Sequence, residues 1–396
     1  MSMIASAPSA ERLHIAIYGR RNSGKSSLIN ALTGQRNAIV SDTPGTTTDP
    51  VLKPMEIPGL GPCVLIDTPG FDDEGPLGAL RVEQSRKMLD KTDLAILLLA
   101  GEEPLDDEIE WLRTLDGRRI PTVVVRSKAD LGAAGESAPA ADLLGHRTLR
   151  LSATSGKGIA ALREELIRNL PEDYNRAEIT AGLAAAGDLV LLLMPQDAQA
   201  PKGRLILPQV QTIRELLDKQ CRVVCCTPEQ LEGTLASLVA PPKLIITDSQ
   251  VFAKAYALKP EASLLTSFSV LFARYKGDID YFVAGAEAIA RLREDSRVLI
   301  AEACTHAPLT EDIGRVKIPA LLRKRVGPGL RIDIVGGTDF PEDLTPYDLI
   351  IHCGACMFNQ RHVLSRVERA RTQGIPMTNY GVAIAALQGI LDKIEY

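Results

Sequence analysis

Several features that would assign a protein class at once are missing from this chain. No apolar run reaches about 18 residues, so the sequence predicts no transmembrane helix. Residues 1–12 lack a basic segment followed by a long apolar core, so we expect a short disordered lead-in rather than a secretory signal. A net charge of −5 over 396 residues gives no indication of a nucleic-acid or membrane partner.

Cysteine usage does not suggest a disulfide framework, because seven is an odd count. Cys63, Cys221, Cys225 and Cys226 lie in apolar, strand-like runs, where we expect buried free thiols. The other three lie at turns. This distribution predicts a reduced, cytoplasmic location and favours metal binding over disulfides.

Apolar strands alternate with amphipathic helices over residues 13–170. This alternation predicts an α/β domain with a mostly parallel sheet and helices on both faces. The predicted strands are 13–18, 63–67, 94–100, 122–126 and 148–152, and the predicted helices are 25–32, 77–90, 105–115 and 159–170.

Two smaller α/β domains are predicted over 171–265 and 266–396, which gives three domains in all. Their predicted strands are 188–194, 222–226, 244–247, 297–301, 331–335 and 347–351, and their predicted helices include 210–219, 228–238 and 382–393.

A phosphate-binding loop is the clearest motif of the first domain. Its Gly-x4-Gly-Lys-Ser pattern follows a predicted strand and opens a predicted helix, which is the context that such a loop requires. The lysine would neutralise the β and γ phosphates, and Ser26 would bind Mg²⁺. The residues expected to bind the nucleotide here are Gly19, Asn22, Ser23, Gly24, Lys25, Ser26 and Ser27.

The segments that would sense the γ-phosphate follow in order. Asp67 ends an apolar strand and would hold the water shell of Mg²⁺, and the N–H of Gly70 would meet the γ-phosphate. Thr47, between the loop and Asp67, is the favoured Mg²⁺ ligand of a first switch. We therefore predict Lys25, Thr47 and Gly70 as the catalytic set. Phe71 follows Gly70 where other GTPases carry glutamine, so the attacking water must be oriented by another group.

Guanine selection is predicted from Lys128 and Asp130, with Ser152 and Ala153 supplying a further backbone donor. These residues resemble the translation-factor-like GTPases, in particular the tRNA-modification and Era-like branch. That branch usually has Asn where this chain has Ser127, and the loss of an amide that braces the phosphate loop predicts weaker guanine binding. Asn22 resembles the potassium ligand of the same branch, which implies slow, K⁺-stimulated hydrolysis.

A second constellation lies near the end of the chain. Cys304 follows one predicted strand, and Cys353 and Cys356 follow another, so parallel strands would bring the thiols together at one sheet edge. Three interpretations stay open: a 4Fe–4S cluster, a zinc site completed by His306 or His352, or three reduced thiols.

The pattern Cys304-Thr-His306 … His352-Cys353-Gly-Ala-Cys356 behind a GTPase resembles the FeFe-hydrogenase maturation GTPase family (HydF). This resemblance implies a 4Fe–4S cluster held by the three cysteines and transient carriage of a two-iron precursor with CO and CN ligands. It further implies delivery to apo FeFe-hydrogenase, two radical-SAM enzymes as upstream partners, and a homodimer through the middle domain.

Three cysteines leave one coordination site of a 4Fe–4S cluster for a labile ligand, for which we predict Asp197 or His306. The main alternative is an Era-like or tRNA-modification-like GTPase with a zinc-binding C-terminal domain that acts in RNA or ribosome maturation. A redox-sensing GTPase with a disulfide is a second. Apart from the short basic run 321–325, the C-terminal half shows no RNA-binding signature, so we expect neither a nucleic-acid nor a membrane partner.

Overall fold

The structure, a computed structural model, describes residues 12–33, 50–57, 59–72, 75–99, 106–130, 142–171, 178–195, 205–303, 312–337 and 339–396. The chain divides into two units, Met1–Arg176 and Ala177–Tyr396. Within the described ranges, no helix is both long and apolar enough to cross a bilayer.

The first unit is built on a six-stranded sheet in the order β2-β3-β1-β4-β5-β6. All neighbours are parallel except β2 and β3. The strands are β1 (Leu13–Gly19), β2 (Val51–Ile57), β3 (Gly61–Asp67), β4 (Leu94–Leu99), β5 (Thr122–Arg126) and β6 (Thr148–Arg150). The helices are α1 (Lys25–Thr33), α2 (Gly75–Leu89), α3 (Asp106–Gly117) and α4 (Ile159–Arg168).

Both faces of this sheet are buried, which explains its continuous apolar strands. In β1, Ile15 and Ile17 point into one apolar layer, while Ala16 and Tyr18 point into the other. Every residue of β1, β4 and β5 is buried. The predicted doubly covered, mostly parallel sheet is confirmed.

Strand β2 was not predicted from the sequence. It is the antiparallel edge strand, and most of its residues are partly or fully exposed. Lys53, Pro54 and Glu56 interrupt its apolar pattern. Proline has no backbone N–H to donate to a neighbouring strand. It is tolerated in β2 because an edge strand has a neighbour on one side only.

The second unit contains two four-stranded parallel sheets, in the orders β10-β9-β7-β8 and β12-β11-β13-β14. The first sheet has strands β7 (Leu189–Leu193), β8 (Arg222–Cys226), β9 (Leu244–Thr247) and β10 (Leu264–Ser267), with helices α5 (Leu207–Asp218), α6 (Leu231–Ser237), α7 (Phe252–Leu258) and α8 (Phe268–Lys276). The second has α9 (Ile279–Ala286), β11 (Arg297–Ala301), α10 (Ile318–Val326), β12 (Arg331–Val335), β13 (Leu349–His352), α11 (Gln360–Thr372), β14 (Met377–Asn379) and α12 (Tyr380–Leu387).

The two sheets of this unit share one continuous apolar core. Leu193 and Phe252 from the first sheet's layer belong to the same cluster as Ile300 and Ile351 from the second. A hydrogen bond also connects the last residues to the first of these sheets: the Glu395 N–H donates to Leu265 O of β10 at 2.8 Å. Strand β10 crosses position 265, where the sequence placed a domain boundary.

Two local features complete the unit. Cys225 is exposed, contrary to expectation, because it lies on β8 at the edge of its sheet.

Asp278 caps α9 by accepting from the Tyr281 N–H at 3.0 Å and also pairs with Arg371 of α11. Burial opposes the charge of Asp278, but these two donors hold its pKa below the usual value.

Candidate functional site

The phosphate loop connects the end of β1 to the start of α1. Its backbone makes a tight turn, with φ of +56° at Asn22 and +94° at Gly24, and glycine adopts such left-handed angles without strain. The N-terminus of α1 faces the loop, which favours an anion there. The local sequence therefore folds into the phosphate cradle that the motif predicts.

Lys25 is buried and held in place by the loop. Its Nζ donates to Gly19 O at 2.8 Å and to Arg20 O at 2.7 Å. The neighbouring Ser26 hydroxyl donates to Asp67 Oδ2 at 2.8 Å. Burial raises the pKa of Asp67, although the Ser26 hydrogen bond and the Lys25 charge oppose that rise. A hydroxyl next to a desolvated carboxylate is an oxygen donor set that fits Mg²⁺.

The segment after Asp67 packs directly on the phosphate loop. A Cβ added at Gly70 would lie 2.9 Å from the backbone N of Arg21, so only glycine fits. The same Arg21 N–H donates to Asp72 Oδ1 at 2.6 Å. Phe71 is buried and stacks on Trp111 with ring centroids 5.3 Å apart. Phe71 is therefore an apolar anchor and offers no polar atom to an attacking water.

The expected guanine-binding residues lie at the ends of β5 and β6. Lys128, with φ of +55°, and Asp130 are both exposed, as a base-binding pair must be. The Ala129 N–H donates to Leu151 O at 3.2 Å, which joins this turn to the Ser152–Ala153 segment. The Ser152 hydroxyl accepts from the Ser155 N–H at 3.1 Å and shapes that segment.

The loss of the loop brace that we expected at Ser127 does not occur. The Ser127 hydroxyl donates to the backbone O of Ser23, in the phosphate loop, at 2.6 Å. Its Oγ also lies 3.2 Å from Leu99 O, at the end of β4. Serine, although shorter than the usual asparagine, thus connects the guanine-binding segment to the phosphate loop. Residue type alone did not predict this contact, because whether a serine hydroxyl can reach the loop depends on the fold.

The cysteine site lies where β11 and β13 end side by side. Because these strands are parallel neighbours, Ala303 after β11 and Cys353 after β13 meet at one sheet edge. Cys353 Sγ accepts from the Ala303 N–H at 3.0 Å and from the Ala355 N–H at 3.4 Å. Backbone N–H groups directed at a sulfur stabilise a thiolate and are a feature of cluster ligation. This donor set therefore fits a metal-bound Cys353.

His352 is not available as a metal ligand, which corrects one of the zinc interpretations. It is fully buried, with Nδ1 2.6 Å from Cys353 O and Nε2 3.1 Å from Arg366 Nη1. Burial, with a further contribution from the charge of Arg366, lowers the pKa of His352 to about 3. The neutral ring therefore accepts from Arg366 and donates to Cys353 O, so His352 supports the cysteine turn from behind.

A cavity of about 240 Å³ opens beside the two thiols. Cys353, Cys356, Glu302, Asp312 and Tyr380 are among the residues that line it. Within the described ranges, the buried Tyr380 hydroxyl has no hydrogen-bond partner. Burial, followed by the negative charges of Cys353 and Glu302, raises the pKa of this tyrosine well above its usual value. Tyr380 therefore keeps its proton and presents a donor beside the thiols.

Several predicted site residues lie outside the described residues: Thr47, Asp197, Cys304 and His306. In the part of the chain that is described, no group of three or more His, Cys, Asp or Glu side chains is arranged to hold a metal ion. The structure brings together Cys353 and Cys356 of the cysteine set. It also brings together the phosphate-loop residues with Asp67 and Gly70.

Comparison with protein families covers both units. The description "50S ribosome-binding GTPase" matches residues 14–128. "Hydrogen maturase F dimerization domain" matches 179–277, and "Hydrogen maturase F tetramerization domain" matches 280–395. The chain belongs to the hydrogen maturase F family. The family predicted from the sequence and the N-terminal P-loop GTPase domain are confirmed, and the matched domains support oligomerisation.

Individual relatives cover different shares of the chain. The tRNA modification GTPase MnmE of Chromobacterium violaceum is 37% identical over 158 residues, which are 40% of this chain and 34% of MnmE. The chain thus spans about a third of the length of this curated relative. An Era variant of Aquifex aeolicus bound to GDP and AlF4⁻ is 20% identical, with a TM-score of 0.34, over 63% of this chain and 99% of that one. NFeoB of S. thermophilus bound to GDP, AlF4⁻ and K⁺ is 20% identical, with a TM-score of 0.32, over 40% and 62%.

Three residues of the cysteine site were missed by sequence reasoning. Tyr380 begins α12, Arg366 lies within α11, and Lys276 ends α8. Lys276 lies far from the cysteine motif along the chain, whereas Arg366 and Tyr380 lie on the two helices that follow it. Arg366 and Lys276 have charged side chains, which usually indicate an exposed helix face, and no local pattern distinguishes these buried ones.

Proposed function

We propose that the chain binds and hydrolyses GTP and serves as an iron–sulfur scaffold for FeFe-hydrogenase maturation. Cys353, Cys356 and Cys304 would hold a 4Fe–4S cluster, with Asp197 or His306 as a labile fourth ligand. The observation that carries the proposal is the thiol pair beside a cavity in a hydrogen maturase F chain. When bound, the cluster would supply an exchangeable iron site.

The substrate of the scaffold would be a two-iron precursor that carries CO and CN ligands. The cavity beside Cys353 and Cys356 offers it a donor from Tyr380, which keeps its proton. Two radical-SAM enzymes would provide the precursor, and apo FeFe-hydrogenase would receive it. A homodimer of the chain would be the acting form.

Each residue proposed for the nucleotide site would have a defined part in GTP turnover. Lys25 would neutralise the phosphates, Ser26 and Asp67 would hold Mg²⁺, and the N–H of Gly70 would meet the γ-phosphate. Thr47 would bind Mg²⁺ only in the triphosphate state. Departure of the γ-phosphate would then release contacts on both sides of the phosphate loop, a change that shifts partner binding.

Potassium is the proposed cofactor at Asn22, whose left-handed backbone places it on the exposed side of the loop. We expect GTP turnover to be faster in K⁺ than in Na⁺ at equal ionic strength, and Asn22→Ala to remove the difference. Equal turnover of the wild type in both salts would refute a potassium site.

The scaffold is tested by anaerobic reconstitution with iron and sulfide, followed by EPR of the reduced protein. We expect a 4Fe–4S signal in the wild type that is lost in Cys353→Ala. Cys225→Ala is the matched control, because this thiol is exposed on β8 and outside the cavity. Stoichiometric zinc with no such signal would refute the scaffold and favour a zinc-binding GTPase of RNA or ribosome maturation.

A further inference from the structure

A buried lysine holds the cysteine turn from beneath. Lys276 is the last residue of α8 and is 2% exposed. Its Nζ donates to the backbone oxygens of Ala355 at 3.1 Å, Cys356 at 3.3 Å and Phe358 at 2.7 Å. An ammonium group has three N–H donors, so it can serve three carbonyls at once.

The turn needs such support because its backbone is strained. Ala355, between the two cysteines, has φ of +46°, an angle that costs a residue with a Cβ roughly 1–2 kcal/mol. In this conformation the Ala355 N–H is directed at Cys353 Sγ, while the Ala355 carbonyl meets Lys276. The lysine therefore holds the same residue, Ala355, whose N–H contacts Cys353 Sγ.

A second link ties the same helix end to the segment after the turn. The Gln360 side chain, at the start of α11, donates to Tyr275 O at 3.1 Å. The end of α8 is thus connected to both the cysteine turn and the helix that follows it. Lys276 also places a positive charge directly under the backbone of the thiol pair, where negative charge gathers on metal binding.

We propose that Lys276 is a positioning residue for the Cys353–Cys356 pair: it fixes the turn that carries both sulfurs and offsets the charge of a metal group bound there. The inference rests on the proposed cluster only for its second half. Supporting contacts around a metal site typically change affinity by about 10–100-fold when they are removed. Lys276→Met keeps the length of the side chain and removes both the donors and the charge.

Lys259 provides a matched control. Its Nζ also donates to three carbonyls of a turn, those of Pro260 at 3.3 Å, Glu261 at 3.4 Å and Ser263 at 2.8 Å. That turn carries no cysteine and does not line the cavity. Lys259→Met therefore removes the same kind of interaction from a turn that carries no proposed metal ligand.

The first measurement uses the full-length, metal-free protein, so it does not depend on a cluster. Hydrogen exchange of the amides over 353–359 is followed by mass spectrometry. We expect exchange to be about tenfold faster or more in Lys276→Met, because three hydrogen bonds to the segment are lost, and unchanged in Lys259→Met. Equal exchange in wild type and Lys276→Met would overturn the positioning role.

The second measurement uses the reconstituted proteins. We expect chelator competition to show about tenfold weaker iron retention in Lys276→Met, and redox titration to show a lower midpoint potential, because a positive charge near the site has been removed. An unchanged potential would overturn the charge role. If the wild type itself assembles no cluster, the proposed function fails, while the exchange measurement still decides whether Lys276 positions the turn.

Discussion

The hydroxyl of Ser127 links guanine recognition to phosphate binding, and Ser127→Ala tests that link. The hydrogen bond to Ser23 O is 2.6 Å long and fixes the phosphate loop to the segment that carries Lys128 and Asp130. A hydrogen bond of this kind contributes about 0.5–1.5 kcal/mol net. At about 1.4 kcal/mol per tenfold change, the variant should bind GDP and GTP roughly 2- to 12-fold more weakly.

The assay is equilibrium titration with a fluorescent guanine nucleotide, together with stopped-flow dissociation. We expect both nucleotides to lose affinity by the same factor, mainly through faster dissociation, because both contact the phosphate loop. Ser237→Ala is the control, since it removes a hydroxyl-to-carbonyl bond of 2.7 Å to Thr234 O in the second unit. Wild-type affinity in Ser127→Ala, or an equal loss in the control, would refute the reasoning.

Three further changes have defined outcomes. Lys25→Ala should abolish GTP turnover and leave the EPR signal of the cysteine site intact, because the two sites lie in different units; loss of both would contradict this separation. Gly314→Ala would place a Cβ 1.9 Å from the Tyr380 hydroxyl oxygen. Urea unfolding should show a loss of about 1–3 kcal/mol from this overpacking, and Tyr380→Phe in the same chain should restore part of it; no restoration would locate the clash elsewhere. Asp278→Ala should cost about 1 kcal/mol at pH 7 through loss of the helix cap. Because the pKa of Asp278 is held low in the folded protein, its contribution is present above about pH 4 and is lost as the pH falls through the folded pKa, so a difference from wild type that does not shrink in acid would argue against the cap.

The buried strands of the fold were predictable from apolar runs alone. The bounds predicted for β5, β8, β9, β11 and β12 are those observed, because each run is followed by a polar residue or glycine. The strands that were missed, β2, β10 and β14, are an edge strand or are only three or four residues long. Their sequences contain Pro, Lys, Thr, Ser or Asn, so no apolar period marks them. Their pairing depends on neighbours that are distant in the chain.

Site residues that belong to a recognisable motif could be predicted from the sequence. Residues that hold a motif in place from another part of the chain could not. The contact of Ser26 with Asp67 follows from two known motifs, and the structure places them 2.8 Å apart. Histidine commonly binds zinc, so His352 was considered as a zinc ligand. Its burial and its contact with Arg366 prevent it from binding a metal. Lys276 carries no signal at all in the sequence, since only the fold brings it beneath the cysteines.

The shared core of the second unit has a consequence for how this chain can be divided. The two hydrogen maturase F descriptions meet between residues 277 and 280, immediately after Lys276. That boundary separates the ammonium from the carbonyls it binds and divides the apolar cluster that joins Leu193 to Ile351. The dimerization and tetramerization segments are therefore not interchangeable modules. A chimera that takes them from different homologues must keep the contacts across this boundary matched. A fragment that starts at 280 loses Lys276, which holds the cysteine turn.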